Sequence, residues 1–556
     1  MDKLFNYDIY DVFDTQTDEG VNMLLSLFGD LSDSDKQTLS QCLSSSKTTV
    51  LELEYIDKDF RSAFSGYYSS KFEQFSNRAK RLHLFDVEIS IDDFFSFSGP
   101  LTERLAELAL EQEVKLLKKE ATVGYVGNIV LRPAGSSIVG RCLLDPRKIH
   151  RDSDYRIYGC LAEYKADVMG ETLGVLAFPT QSQDAEVNVC AHTAIWSLFR
   201  YLSQRYANYK EQYPFDIALL NKDLQYGRRF PGRGLYMNQV AAMFGNFGLS
   251  AELYQSQDIN QAILRSGKGY GWADIYPIVD SDGKELDDTD QVKNVLFHYI
   301  HCHIDSGLPP VLGLLNGTTT DDYRGHAVVA VGVKYADFKE APVVKRNGRV
   351  KLNSDFLNGV VVNDDTRSPY YVVSRNLEPM QDKLEYNSGV IDSMVVPLPD
   401  KVFMNAETAE VLTTDTINKH PRPAPDDVEL VRSLVCTSSR NYKQFRRNSD
   451  DAYSRKLVEL PLPHFMWITE FSTYSSWVES VDGHSIVEIA LDATAGSSDT
   501  LPYVWIRFPD RLIINWRRIY GEVVLEVQDE PVSEYFGMSD ALSFRRFHGN
   551  LRSYCG

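Results

Sequence analysis

The adjacent prolines Pro309 and Pro310 divide two kinds of hydrophobic pattern, and that switch does most to limit how this chain can fold. Before them, CAHTAIWSLFRYLSQRY, GLYMNQVAAMFGNFG and QVKNVLFHYIHCHI carry apolar residues at helical spacing. The second is closed by Gly248, and the third ends before Gly307. After the prolines come short apolar runs rich in valine: VLGLLNG, HAVVAVGVKY, LNGVVVNDD and YYVVSR. Helices first and then a run of strands predicts an α+β domain with a largely antiparallel sheet.

The 556 residues allow three to five structural units at roughly 100–200 residues each. Residues 1–120 read as a mostly helical interaction or regulatory region, on stretches such as FRSAFSGYYSSKFEQFSNRAKRLHLF and LTERLAELALEQEVKLLKKE. Residues 121–172 read as a small β-rich segment, with YVGNIVLRP and DYRIYGCLAEYKADVM, leading into a core over 173–400 that opens on LGVLAFP. The proline-rich NKHPRPAPDD at 418–427 reads as a linker. It precedes a short helix (Val428 to Cys436) and strands such as HFMWITEF, HSIVEIALDA, YVWIRF and VVLEV, which make 401–556 a β-rich C-terminal domain.

The net charge of −20 makes a poor partner for phosphate backbones or anionic lipid, so neither nucleic acid nor a membrane is an expected partner. No run of about eighteen apolar residues is present to span a bilayer. Seven scattered cysteines, with no CxxC pair, form neither a disulfide framework nor half of a zinc site. With the acidic start MDKLFNYDIYDVFD, this places the chain in a reducing cytoplasm, although an effector exported without a cleaved signal would look the same. In HYIHCH (His298, His301, Cys302, His303) the first two histidines stand one helical turn apart, within reach of one ion, but with no HExxH pattern and no clear carboxylate besides Asp305 the stretch reads as a solvated helix end. DSDGKELDDTD lacks the closing glutamate of a calcium loop and reads as a solvated turn. The arginines of GRRFPGRG (Arg228, Arg229, Arg233) read as partners of nearby acids. No metal or organic cofactor is expected.

Thiol catalysis needs a cysteine that ionises readily, and a helix N-terminus beside an imidazolium favours this. Cys190 alone among the cysteines stands there, at the first position of an amphipathic helix after the polar QSQDAEVN. His326 opens the strand HAVVAVGV, 136 residues downstream, and is the candidate base. Asn363, Asp364 and Asp365 end the next strand, and any of them is able to orient its ring. An oxyanion needs two donors, for which the Cys190 N–H and the amide of Gln183, or secondarily Gln181, are at hand.

This order resembles that of papain-like cysteine peptidases: Gln, then Cys at a helix start, Gly-Leu-Pro-Pro, Gly-His opening a strand, and Asn-Asp after another. It is most similar to the bacteriocin-leader-processing (double-glycine) group. The resemblance covers about residues 173–400 and implies a bacterial, multi-domain thiol peptidase of papain-like fold acting on a peptide or protein substrate. It also implies a Cys190 nucleophile, a His326 base, Asp364 as orienter and Gln183 as oxyanion donor. Ala191 stands where the family has glycine after the cysteine, and Gln183 lies one residue further from Cys190 than in the commonest family spacing. Transglutaminase- or deamidase-like transfer by the same triad, and a non-catalytic binding module on this scaffold, are the alternatives.

Overall fold

The computed structural model describes residues 9–95, 99–114, 121–149, 157–220, 230, 234–256, 278–280, 282–316, 324–336, 342–375, 390–449, 453–479, 483–496, 499, 502–508, 511–515, 524–526, 543–547 and 552–553. At its centre lies an antiparallel sheet. From edge to edge its strands are Tyr371–Ser374, Leu357–Asn363, Arg324–Tyr335, Val311–Asn316, Val390–Pro399 and Leu249–Gln255. The far half of Arg324–Tyr335 also pairs with Ile157–Gly159, which in turn pairs with Arg552–Ser553. Helices pack on this sheet, and the architecture is α+β.

Local chemistry sets the element ends. Helix Asp288–Asp305 stops because Gly307 adopts φ +72°, a conformation that costs a residue with a Cβ. Its N–H bonds Ile304 O at 2.8 Å, and Leu308 N–H bonds His303 O at 2.9 Å, which satisfies the helix's last carbonyls. Gly248, at φ +82°, likewise closes helix Met237–Asn246 and opens strand Leu249–Gln255.

Helix Cys190–Arg205 is the internal pillar of the molecule: every residue from Ala191 to Leu202 is buried. One side packs on strand Arg324–Tyr335, whose Ala327, Val328, Val329, Ala330, Val331 and Val333 are themselves buried. The other side meets the N-terminal region, where Asp59 accepts Trp196 Nε1–H at 3.1 Å and pairs with Arg200. Asp59 also lies 3.3 Å from Arg141.

The N-terminal region differs from the expectation of a mostly helical 1–120. Helices including Asp18–Ser26, Asp33–Leu43, Lys58–Gly66 and Leu101–Glu111 accompany a five-stranded antiparallel sheet. Its strands are Tyr10–Asp14, Thr48–Tyr55, Ala79–Phe85, Tyr125–Leu131 and Val139–Leu144, so the sheet runs across residue 120. Two of the missed strands do alternate, LELE at 51–54 and RLHL at 81–84, but Glu52, Arg81 and His83 on the polar side are buried. Arg81 stands opposite Glu52 in the register, 2.8 Å from its carboxylate, and both are buried. Charged residues hidden as cross-strand pairs imitate the exposed face of a helix.

The C-terminal region carries a seven-stranded sheet in the order Val350–Leu352, Leu430–Ser438, Phe465–Thr473, Val487–Asp492, Tyr503–Arg507, Leu512–Asn515 and Val524–Glu526. Leu430–Ser438 replaces the helix expected over Val428 to Cys436. Leu430, Val431, Leu434 and Val435 have helical spacing only because Arg432 lies between them, and Arg432 is buried against Glu410. Nor do residues 418–427 separate two bodies: Arg349 Nη2–H reaches Ala424 O at 3.4 Å, and Val350–Leu352 pairs in parallel with the strand that follows. Among the described residues, no helix is long and apolar enough to cross a membrane.

Replacing Asp59 with asparagine removes the carboxylate that two buried guanidinium groups share, leaving Arg141 to Asp57 and Arg200 to Glu211. The expected loss is about 1–3 kcal/mol, read as a lower urea midpoint with unchanged slope. A loss below about 0.5 kcal/mol would show that this contact does not hold the N-terminal region to the pillar.

Candidate active site

Cys190 is the first residue of its helix and half-buried, whereas Cys42, Cys142, Cys160, Cys302 and Cys436 are buried. Burial pushes the thiols of Cys160 and Cys436 up to about 12 and raises those of Cys142 and Cys302 as well. The preceding loop is built on the Asp184 carboxylate, whose Oδ1 accepts N–H bonds from Glu186, Val187 and Asn188 at 3.0, 2.8 and 2.7 Å. Arg132 Nη2 braces the loop by donating to Ser182 O at 3.0 Å and to Val139 O at 2.9 Å. His192 finishes it: Nδ1 accepts the Val189 N–H at 3.4 Å, and burial lowers its pKa to about 4, so this ring is neutral.

The antiparallel register delivers the other two groups. Asn363 stands opposite Val329, so the chain beyond it runs back alongside Val328, Ala327 and His326. There His326 Nε2 lies 3.0 Å from Asp364 Oδ1, and the ring also hydrogen-bonds the Cys190 side chain. With Nε2 committed to Asp364, Nδ1 is the nitrogen left for the thiol. Burial disfavours a charged ring here, but bonds to Asp364 and Cys190 and the nearby carboxylates outweigh it, raising His326 to about 11. Burial would raise Asp364, yet His326, with the N–H and hydroxyl of Thr366 at 2.9 and 2.8 Å, brings it down to about 2.

The three consecutive candidates at this turn thus behave differently. Asn363 faces away: its Oδ1 accepts Tyr370 N–H at 2.9 Å, and its Nδ2 donates to Pro179 O at 3.5 Å, tying the strand end to the segment before the Cys190 loop. Asp364 holds the imidazole. Asp365 Oδ1 also lies 3.5 Å from His326 Nε2, but neither of its oxygens has a hydrogen-bond partner, and burial beside Asp364 pushes it up to about 8. Among the described residues, His326, Asp364 and Asp365 are also the cluster close enough to share a metal ion, with ligand atoms within 4.8 Å of one another.

Gln183 is half-buried on the loop, and among the described residues no hydrogen bond joins it to Cys190, His326 or Asp364. Gln181 is buried, its Nε2 without a partner, and lines a void of about 10 Å³ with Asp57, Asp184 and Asn188. The loop therefore places Gln183, and not Gln181, toward its outer side.

HYIHCH is not the solvated helix end that was expected. Helix Asp288–Asp305 lies between the central and C-terminal sheets, and His298, His301, Cys302 and His303 are all buried. His298 Nδ1 pairs with Ser354 Oγ at 2.9 Å and its Nε2 lies 3.2 Å from Glu410; His301 Nε2 pairs with the Tyr335 hydroxyl at 2.5 Å. Burial holds His301 and His303 down to about 3, as neutral core rings. In the acidic loop, Asp280 Oδ1 accepts the N–H groups of Asp282 and Lys284, and Asp287 caps the helix, so these acids serve turns. Arg228, Arg229 and Arg233 lie outside the described residues.

Asp365 gives this site a signature in stability. A carboxyl raised from 3.8 to about 8 leaves its full stabilisation below pH 3.8 and loses it as pH rises toward 8, because the unfolded chain releases its proton first. Asp365→Asn keeps the neutral shape and removes that titration. Relative to wild type, the variant is expected to gain stability progressively from pH 4 to 8 in urea melts; parallel pH profiles would refute the assignment.

Set against protein-family models and against curated proteins, the sequence matches none.

Proposed function

We infer that the chain is a thiol-dependent acyl-transfer enzyme, a cysteine peptidase on a papain-like scaffold that cleaves a peptide or protein substrate. One chain of contacts carries the reading: a half-exposed cysteine at a helix N-terminus bonded to an imidazole, whose other nitrogen a carboxylate holds at 3.0 Å. A helix bearing the thiol, packed on an antiparallel sheet bearing the base, supports the scaffold.

Cys190 Sγ forms a bond to the substrate's carbonyl carbon, and His326 passes its proton to the leaving nitrogen as the C–N bond breaks. Water then adds to the thioester, His326 takes its proton, and the C–S bond breaks to release a carboxylate. Asp364 keeps the ring's orientation and charge through both halves. The oxyanion meets the Cys190 backbone N–H in the first helical turn, where such groups have no intrahelical partner. The Gln183 amide supplies the second donor, at roughly 3–4 kcal/mol per donor. These steps use the chain's own groups and water.

Iodoacetamide labelling of the full chain at pH 6, resolved by peptide mass, tests this. Cys190 is expected to carry essentially all early label, Cys190→Ala to lose it, and His326→Ala to slow it about 100-fold. Uniformly slow labelling of all cysteines would overturn the reading. Once a substrate is found, product masses separate hydrolysis from amide exchange.

A further inference from the structure

A cavity of about 350 Å³ opens at the opposite end of the helix that carries Cys190, near Leu202, about 18 Å along its axis from the thiol. That volume falls in the range of small-molecule sites, and the position, where separate parts of a fold meet, is where such sites occur. Tyr206 and Tyr209 follow the helix, Phe247 precedes Gly248, and Phe465 and Thr437 come from the C-terminal sheet; all five line the cavity.

Three features define what fits. The walls are rich in aromatic rings. Asn208 and His464 bring a side-chain amide and an imidazole to its lining, groups that hydrogen-bond the edge of an occupant. Of the lining side chains that carry a full charge, Asp400 and Lys401 are consecutive and opposite in sign, so together they favour neither an anion nor a cation.

We propose that this cavity binds an uncharged planar aromatic molecule of one or two rings. Its faces lie among Tyr206, Tyr209, Phe247 and Phe465, and a hydrogen-bonding edge meets the side chains of Asn208 and His464. Because the walls belong to both the Cys190 helix and the C-terminal sheet, the occupant ties the two together and stabilises the fold by mass action.

The full chain is titrated with nicotinamide, adenine and indole, with benzoate as the charged counterpart, by saturation-transfer NMR and thermal melts. At least one uncharged probe is expected to saturate with Kd below about 1 mM and to raise Tm, with benzoate at least tenfold weaker. Asn208→Leu, which keeps the size of the side chain and removes its amide, is expected to weaken that probe about three- to tenfold, and Tyr209→Leu, which removes a ring at a half-buried position, at least as much. Failure of every probe, equal binding of benzoate, or binding indifferent to both substitutions would overturn the site. Repeating the titration on Cys190→Ala keeps the result independent of any catalysis.

Discussion

A helix that is buried along twelve consecutive residues must have walls on every side, and this requirement organises the molecule. The valine-rich centre of strand Arg324–Tyr335 supplies one wall. The N-terminal region supplies another, fastened by a carboxylate that serves an indole and two guanidinium groups at once. What is left open is the helix's two ends, and Cys190 stands at the first of them. The same packing that hides five other cysteines in apolar surroundings leaves Cys190 at the surface end of the pillar. Structural necessity and chemical distinction coincide there.

At the turn after strand Leu357–Asn363, three neighbouring polar residues acquire three fates from their surroundings alone. Asn363 is spent on backbone bonds, Asp364 is charged because His326 and Thr366 hydrogen-bond it, and Asp365 is driven toward neutrality by burial beside the Asp364 charge. A positive ring facing one charged and one neutral carboxyl is a balanced arrangement, whereas two full charges would leave an excess in a buried place. Environments that push adjacent titratable groups apart are characteristic of sites that handle protons.

Much of this was legible where the signal is local. Gly307 and Gly248 marked helix ends because only a left-handed residue closes those turns, and Cys190 stood out through its position at a helix start. The α+β class followed from the order of periodicities. What escaped was whatever tertiary burial reverses. Arg81 with Glu52, and Arg432 with Glu410, look like solvent-facing charges in a linear sequence and are interior pairs in the fold. The histidines of helix Asp288–Asp305 misled in the same way, since a helix between two sheets has no wet side. Asp365 could be nominated from its place in the sequence but not distinguished from Asp364, because the difference lies in which oxygens find donors. The bracing of the Cys190 loop by Asp184 left a readable trace, an aspartate two to four residues before the amides it accepts from, while Arg132 left none.

The pairing of Ile157–Gly159 with Arg552–Ser553 also sets a timetable. On a ribosome adding about 5–20 residues per second, the first of these strands emerges roughly 20 to 80 s before the second. Throughout that interval the outer edge of the central sheet has unpaired backbone groups on view, open to any passing strand. Order of synthesis, and not only final stability, thus governs when that edge is closed. A chain halted before residue 552 would carry its imidazole on an unfinished sheet.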